Sequence, residues 1–287
     1  MKSNKTWPNF FIVGAPRAGT TSLYSYLKEI PEIYMSPEKE PNYFNSPNSK
    51  IIGLNNPKTK KYLKLFENAN DEIARGEATA SYLSDPESAK MIYQVVPEAK
   101  IIICLRNPVE RLYSHHLSGR RMEELTDFHE FIHNKSQEEN SFNFKTLFEM
   151  GLYSNQIKGY LDIFGSKQVK IFIFEEYTND IKATLEEILE FLGLESIIQN
   201  SIYDVYNASF LPKQWARPLV RNKTISKLSR IIIRNEKTLE NLKTKFLREN
   251  SKPLMVEEDK KFLQRLYERD VKKLQNILGR KLPWFPT

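Results

Sequence analysis

Apolar positions along this chain fall into two patterns. Short uninterrupted runs occur at Phe10–Val13, Lys100–Leu105 and Val169–Phe174. Between them, longer stretches carry apolar residues every three or four positions. A short apolar run bounded by turn residues reads as a strand covered on both faces, as in a parallel sheet, and Lys100–Leu105 is the strongest of these. Ile33–Ser36 and Ile73–Glu77 add two weaker strands. The helical period appears after Gly19 (Leu23, Tyr24, Tyr26, Leu27), over 57–68 with a basic face, and over 86–95, which Pro97 stops. It returns from Pro108 through Leu117, over Leu152–Phe164, over Ile181–Leu192 before Gly193, and over Glu257–Leu278 before Gly279. Strand, loop and helix in repetition predict an α/β fold: a P-loop-like open, mostly parallel β-sheet with helices on both faces. The simplest reading is one domain over residues 1–287, with its core at about 9–284. Residues 127–150 read as a surface excursion, 201–256 as basic helical stretches of unclear placement, and Trp284-Phe285 as a tail tucked back onto the domain.

The first run stops at Gly14, and Gly14-Ala15-Pro16-Arg17-Ala18-Gly19-Thr20-Thr21-Ser22-Leu23 leads into a helix. Such a strand–loop–helix gathers backbone N–H groups and a helix N-terminus around one point, which suits a phosphate-like anion. The two glycines have Walker A spacing, but Thr20 stands where that motif has its lysine, and the loop's cation is Arg17. A diphosphate-like group is therefore expected rather than a gripped triphosphate; the bland alternative is a glycine-bearing turn. Lys100–Leu105 runs into Arg106-Asn107-Pro108 and a helix carrying Ser114. Ligands of open α/β sheets bind at the carboxyl ends of strands, so Arg106 and Ser114 are expected on the same edge as the glycine loop. Taken singly, Arg106 also fits a strand-end salt bridge, Ser114 an exposed helix serine, and Glu40 a loop carboxylate paired with Lys39 or Arg17.

Composition narrows the picture. Of 287 residues, 40% are hydrophobic and 12% aromatic, enough for a sizeable core. The formal charge of +7 fits an anionic ligand, nucleic acid or a membrane surface. The basic residues are spread over Lys58–Lys64, Arg217–Arg234 and Lys237–Lys252, which argues against a nucleic-acid arm. The single cysteine, Cys104, lies inside an apolar run and reads as a buried structural thiol. Residues 1–8 are polar, and no apolar run approaches the ~20 residues of a membrane span. The expectation is a cytoplasmic protein without a membrane anchor; oligomeric state is not readable.

With the glycine loop, Glu40, Arg106 and Ser114 in place, the chain resembles sulfotransferases that use 3′-phosphoadenosine 5′-phosphosulfate (PAPS), most of all the heparan-sulfate-type group and its bacterial relatives. The resemblance spans roughly Asn9 to Trp284. It implies that Arg17, Ala18, Gly19, Thr20, Thr21 and Ser22 cradle the 5′-phosphosulfate. It implies that R-x-P-x-x-R-x-x-S holds the 3′-phosphate through Arg106 and Ser114. Glu40 matches the acidic position of the family's E-x-x-[FY]-F loop, here Glu40-Pro41-Asn42-Tyr43-Phe44, and Tyr267, Asp270, Leu274, Gly279 and Trp284 match its closing pattern. A late nucleotide-binding loop corresponds loosely to Phe210–Arg217, with Lys213 and Arg217 as contacts. Where the family's loop often has lysine this chain has Arg17, and Ala78 replaces the lysine that follows the Glu77 equivalent in animal heparan 3-O-sulfotransferases. The implied reaction is in-line transfer of a sulfuryl group to a hydroxyl or amine of a small-molecule or glycan acceptor. Glu40 is the implied base and Arg17 stabilises the leaving group, with no metal and no nucleic acid involved.

Three rivals stay open. His129-Glu130-Phe131-Ile132-His133 fits H-E-x-x-H, the helix of zinc hydrolases, with Glu149 at a suitable distance for a third ligand. A nucleotide kinase or NTPase would use the same glycine loop, although its lysine and a clear Walker B aspartate are missing. A non-catalytic anion- or glycan-binding module would use only the basic surface.

Overall fold

The computed structural model describes residues 7–45, 56–70, 72–119, 127–133, 143–194 and 254–285. Five strands form one parallel sheet in the order β2-β3-β1-β4-β5. They are β1 (Phe10–Gly14), β2 (Ile33–Met35), β3 (Ala74–Ala78), β4 (Lys100–Leu105) and β5 (Val169–Ile173). The central pair, β1 and β4, is the most apolar, and every residue from Phe10 to Val13 and from Ile101 to Leu105 is buried. In sequence order the helices are α1 (Thr20–Lys28), α2 (Pro57–Leu63), α3 (Ser88–Val95), α4 (Pro108–Gly119), α5 (Phe128–His133), α6 (Phe144–Glu149), α7 (Tyr153–Phe164), α8 (Phe174–Tyr177), α9 (Ile181–Leu192) and α10 (Glu257–Leu278). Among the described residues, no helix is long and apolar enough to cross a membrane.

The chain leaves β1 toward β2 on one side and leaves β4 toward β5 on the other. This reversal opens a crevice between the carboxyl ends of β1 and β4, where open α/β sheets take their ligands. The register marks the same place. Phe10, Phe11 and Ile12 pair with Lys100, Ile101 and Ile102, but then Gly14, not Val13, pairs with Ile103. The extra residue bends β1 out of the sheet as the loop begins.

β3 is the weak strand of the sequence, Ala-Arg-Gly-Glu-Ala, yet all five positions are buried. Two of its polar groups have local partners: Arg75 N donates to Asn9 Oδ1 at 2.7 Å, and Glu77 sits in a cage of hydroxyls described below. Gly76 faces Phe10 directly across the ladder. A Cβ there would lie 2.1 Å from Phe10 Cζ, so the aromatic ring occupies the space that a side chain would need.

Residues 127–150 are not a surface excursion throughout. Phe128, Phe131 and Ile132 of α5 and Leu147 of α6 are buried. Phe128 packs edge-on against Tyr113 of α4 at 4.7 Å, and Arg111, fully buried, donates to the Leu147 carbonyl. The polar stretch that suggested an excursion, Gln137 to Ser141, lies outside the described residues. The long α10 buries Asp259, Leu263, Tyr267, Val271 and Leu274 on one face, against α7 and α4. Its Asp270 carboxylate accepts from the N–H and hydroxyl of Ser154 at the start of α7. Trp284 does tuck back, as its sequence position suggested: its indole donates to Glu175 Oε2 at 2.9 Å, and its carbonyl accepts from Asn107 Nδ2 at 3.1 Å.

Gly76→Ala is expected to destabilise the fold by about 1–3 kcal/mol through overpacking. Chemical denaturation checks this. Phe10→Leu in the same chain should recover part of the loss, giving a non-additive double-mutant cycle.

Candidate active site

Each anion loop grows from the end of a central strand. Gly14 closes β1, and a Cβ on it would meet Leu83 Cβ at 2.5 Å and the Ala80 carbonyl at 2.9 Å, so the turn after β3 presses directly on the loop. Gly19 has φ +84°, and a side chain there would strike Phe174 and Tyr177 within 3 Å. Those two aromatics come from α8, just after β5. With Gly19 as an N-cap that offers no side-chain oxygen, the first amides of α1, on Thr20, Thr21 and Ser22, project from the helix start without intrahelical acceptors. The Ala18 amide differs from that expectation: it donates to the Ala15 carbonyl at 3.2 Å within the loop.

Arg17 takes φ +68°, which an arginine rarely adopts. The turn aims its side chain at α4, where Nε reaches Ser114 Oγ at 3.4 Å. Ser114 is buried, not the exposed helix serine that its position alone allowed. From the end of β4, Arg106 Nη1 donates to the Arg17 carbonyl at 3.1 Å. Its guanidinium lies over the Phe174 ring at 4.7 Å, and its own carbonyl accepts from Tyr153. Burial pushes the Arg106 guanidinium below its ordinary value, although an arginine stays charged. Its buried Nε has no hydrogen-bond partner among the described residues. A charged donor held in that state is suited to an anion. Thus Arg17, Arg106 and Ser114, far apart in sequence, meet at the β1/β4 crevice.

The third strand end supplies carboxylates. Glu40 also has a positive φ, +60°. Its N–H donates to the Ala78 carbonyl, and its Oε2 accepts from the Ala80 N–H, both at 2.9 Å. Lys39 Nζ pairs with Oε1, so the loop pairing foreseen for Glu40 exists with Lys39. The same carboxylate is pinned to the 3-10 turn Ala80–Leu83 that presses on Gly14. Behind it Glu77 is fully buried, accepting from Tyr62 and Tyr82 at Oε1, at 3.0 and 3.1 Å, and from Thr79 at Oε2, at 3.1 Å. Burial pushes Glu77 up to about 8; the three hydroxyls pull the other way, and the neighbouring charge of Glu40 adds to the rise. Glu77 was not singled out from the sequence as a functional group, because a carboxylate in a weak strand gives no sign of its burial.

Two further features complete the edge. Burial, then the charges of Arg111 and Arg17, hold His115 down to about 3, so its imidazole is neutral beside the arginines. Asn107 N donates to Glu175 Oε1 at 3.0 Å, which fixes the loop after β4 to the start of α8. Lys213 and Arg217 lie outside the described residues.

The family described as the sulfotransferase domain matches residues 8–276. Carbohydrate sulfotransferase 15 of mouse (Mus musculus) is 27% identical over 245 aligned residues, covering 65% of this chain and 44% of that protein. The chain thus spans less than half the length of the curated relatives it matches first. A sulfotransferase structure from Alicyclobacillus acidocaldarius aligns with TM-score 0.68 at 29% identity, covering 96% of this chain and 97% of that one. Mouse sulfotransferase SULT7A1, solved in complex with PAP, shares the fold with TM-score 0.51 at 14% identity, over 92% of this chain and 85% of its own.

A raised carboxyl ties stability to pH with a definite sign. The folded chain keeps a proton on Glu77 that the unfolded chain, with an ordinary value of 4.5, releases. Stability from this group is therefore complete below 4.5 and is lost as pH rises toward about 8. Glu77→Gln keeps the shape and removes the titration. Its melting temperature, relative to the parent, is expected to rise steadily over that window; a difference that is flat with pH would show that Glu77 ionises as an ordinary carboxylate.

Proposed function

The chain belongs to the sulfotransferase domain family, and we propose that it transfers a sulfuryl group from PAPS to a hydroxyl or amine of a carbohydrate or small metabolite. The observation that carries this reading is the convergence of Arg17, Arg106 and Ser114 at the β1/β4 crevice, with the buried Nε of Arg106 lacking a partner among the described residues. Two anion loops side by side suit a nucleotide with phosphate at two positions. The residues fit such a donor: the glycine loop leaves no room for side chains at Gly14 and Gly19, and the first amides of α1 point out of the helix.

In this proposal the first turn of α1, Thr20 to Ser22, holds the 5′-phosphosulfate, and Thr20 and Thr21 add hydroxyl donors. Arg106 and Ser114 hold the 3′-phosphate. The donor supplies an electrophilic sulfur, and the S–O bond to the nucleotide breaks with its electron pair moving to the phosphate oxygen. Arg17 and the loop amides stabilise that developing charge, because fixed donors in a partly buried site need no reorganisation. Glu40 takes the proton that the attacking hydroxyl or amine releases. Its carboxylate is held at Oε2 by Ala80 N–H, while neutral Glu77 behind it adds no second full charge at neutral pH. The carbohydrate acceptor rests on the name of the mouse relative, and the ring of polar groups on Asn42, Asn45 and Ser81 beside Glu40 supplies suitable hydrogen-bonding partners.

Calorimetric titration with 3′-phosphoadenosine 5′-phosphate, set beside ADP and ATP with magnesium, tests the reading. The 3′-phosphorylated nucleotide is expected to bind much more tightly than ADP; a preference for ATP with magnesium would replace this reading with a kinase. Arg106→Ala should lose about 1.5–3 kcal/mol of that affinity, roughly 10–150-fold, as a charge-assisted contact does. Glu40→Gln should retain nucleotide affinity while turnover falls by roughly 10²–10⁴. Undiminished turnover in Glu40→Gln would assign the proton to another group.

A further inference from the structure

The sulfuryl transfer proposed above does not use the H-E-x-x-H histidines, yet the fold treats them as a unit. They lie one turn apart on α5, with ring centroids 4.4 Å from each other. The first turn of α10 brings a carboxylate to both: Asp259 Oδ1 is 2.7 Å from His129 Nδ1 and 3.4 Å from His133 Nε2. Glu149, the third ligand that the spacing suggested, is not the acid that closes the group. Asp259 is, and it lies 130 residues from His129. One donor atom from each of the three sits within 4.8 Å of the others.

From this juxtaposition we propose that His129, His133 and Asp259 form a divalent transition-metal site, of the Zn²⁺ class, which clamps α5 to the start of α10. Donor chemistry selects the ion: two imidazole nitrogens and one carboxylate suit zinc, nickel, cobalt or copper rather than magnesium or calcium. Geometry is close to what is needed. Ligand atoms around a tetrahedral zinc at ~2.0–2.1 Å lie roughly 3.3 Å apart, so the His133 contact already fits and the His129 contact must open by about half an ångström. Exposure fits as well. Asp259 is 1% exposed, whereas the histidine side chains are 56% and 37% exposed, so the carboxylate is anchored and the imidazole side is open to a water ligand. The His133 ring also packs on Phe262 at 4.6 Å, which restricts its swing.

The site is a clamp and not a hydrolytic centre. α5 has only six residues, and Glu130, the would-be base, is exposed. Clamping has a mechanical target, because Phe128 and Phe131 of α5 pack on Tyr113 and His116 of α4, the helix that carries Ser114. The simpler role, in which two histidines merely satisfy a buried aspartate, predicts the same contacts but no metal uptake. None of this depends on the sulfuryl-transfer reading.

The test uses untagged protein stripped with a chelator and titrated with Co²⁺, then Zn²⁺. The expected result is uptake of one equivalent of Co²⁺, with visible bands of low-coordinate cobalt that zinc displaces, and a higher melting temperature with zinc. His133→Gln and, separately, His129→Gln should each weaken uptake by more than ~10-fold, since loss of even an outer-shell partner costs that much. Both should keep the parent's far-ultraviolet circular dichroism and a cooperative thermal transition, which shows that they are folded. No saturable uptake by the parent, or equal uptake by parent and both folded variants, overturns the site.

Discussion

Hydrogen bonds between the loop after β1 and the elements that follow β4 couple the two halves of the candidate site. Arg106, at the end of β4, donates to the carbonyl of Arg17, in the loop after β1. Two cations would otherwise repel across a crevice. Here one guanidinium uses the other residue's backbone oxygen, while the second guanidinium turns away to Ser114. The arrangement relies on the register break between β1 and β4, on the positive φ of Arg17, and on Phe174, which gives the Arg106 plane an aromatic face to lie on. The register break and the positive φ are locally unusual, and the stacking on Phe174 helps to hold them. Strain of this kind is retained where a site must be shaped before its ligand arrives.

The sequence made β4 and β5 legible because their apolar runs have one explanation, and the α1, α9 and α10 boundaries because glycines mark them. β3 was faint for a physical reason. Arg75, Gly76 and Glu77 are poor strand residues by type, and only tertiary partners make them good ones: Asn9, the Phe10 ring, and the hydroxyls of Tyr62, Tyr82 and Thr79. Local pattern does not carry that information. Arg17, Arg106 and Ser114 were legible only as a set, since each alone has a plain structural use. Asp259 was out of reach, because nothing near it in the chain distinguishes it from the two acids that precede it. α5 was misread as part of an excursion because its apolar face is only one and a half turns long.

Glu40 and Glu77 show how one fold gives two carboxyls opposite properties within a few ångströms of backbone. Glu40 leaves the sheet on a strained turn, keeps contact with solvent, and is met by a lysine and a backbone N–H. Glu77 stays inside the strand, and burial keeps it largely protonated at neutral pH. The buried acid therefore props, through its hydrogen bonds to Thr79 and Tyr82, the 3-10 turn to which Glu40 is pinned. A permanently charged group in its position would repel Glu40.

The tie between Asn107 and Trp284 closes a ring. The partners stand 177 residues apart, and the bond fixes the loop immediately after Arg106. The Glu175 carboxylate completes the ring, accepting from the Asn107 N–H at Oε1 and from the Trp284 indole at Oε2. One loop is thereby braced at once by a residue of the helix that follows the edge strand and by a tryptophan remote in sequence, so a change in that tail is felt beside Arg106 without touching a strand.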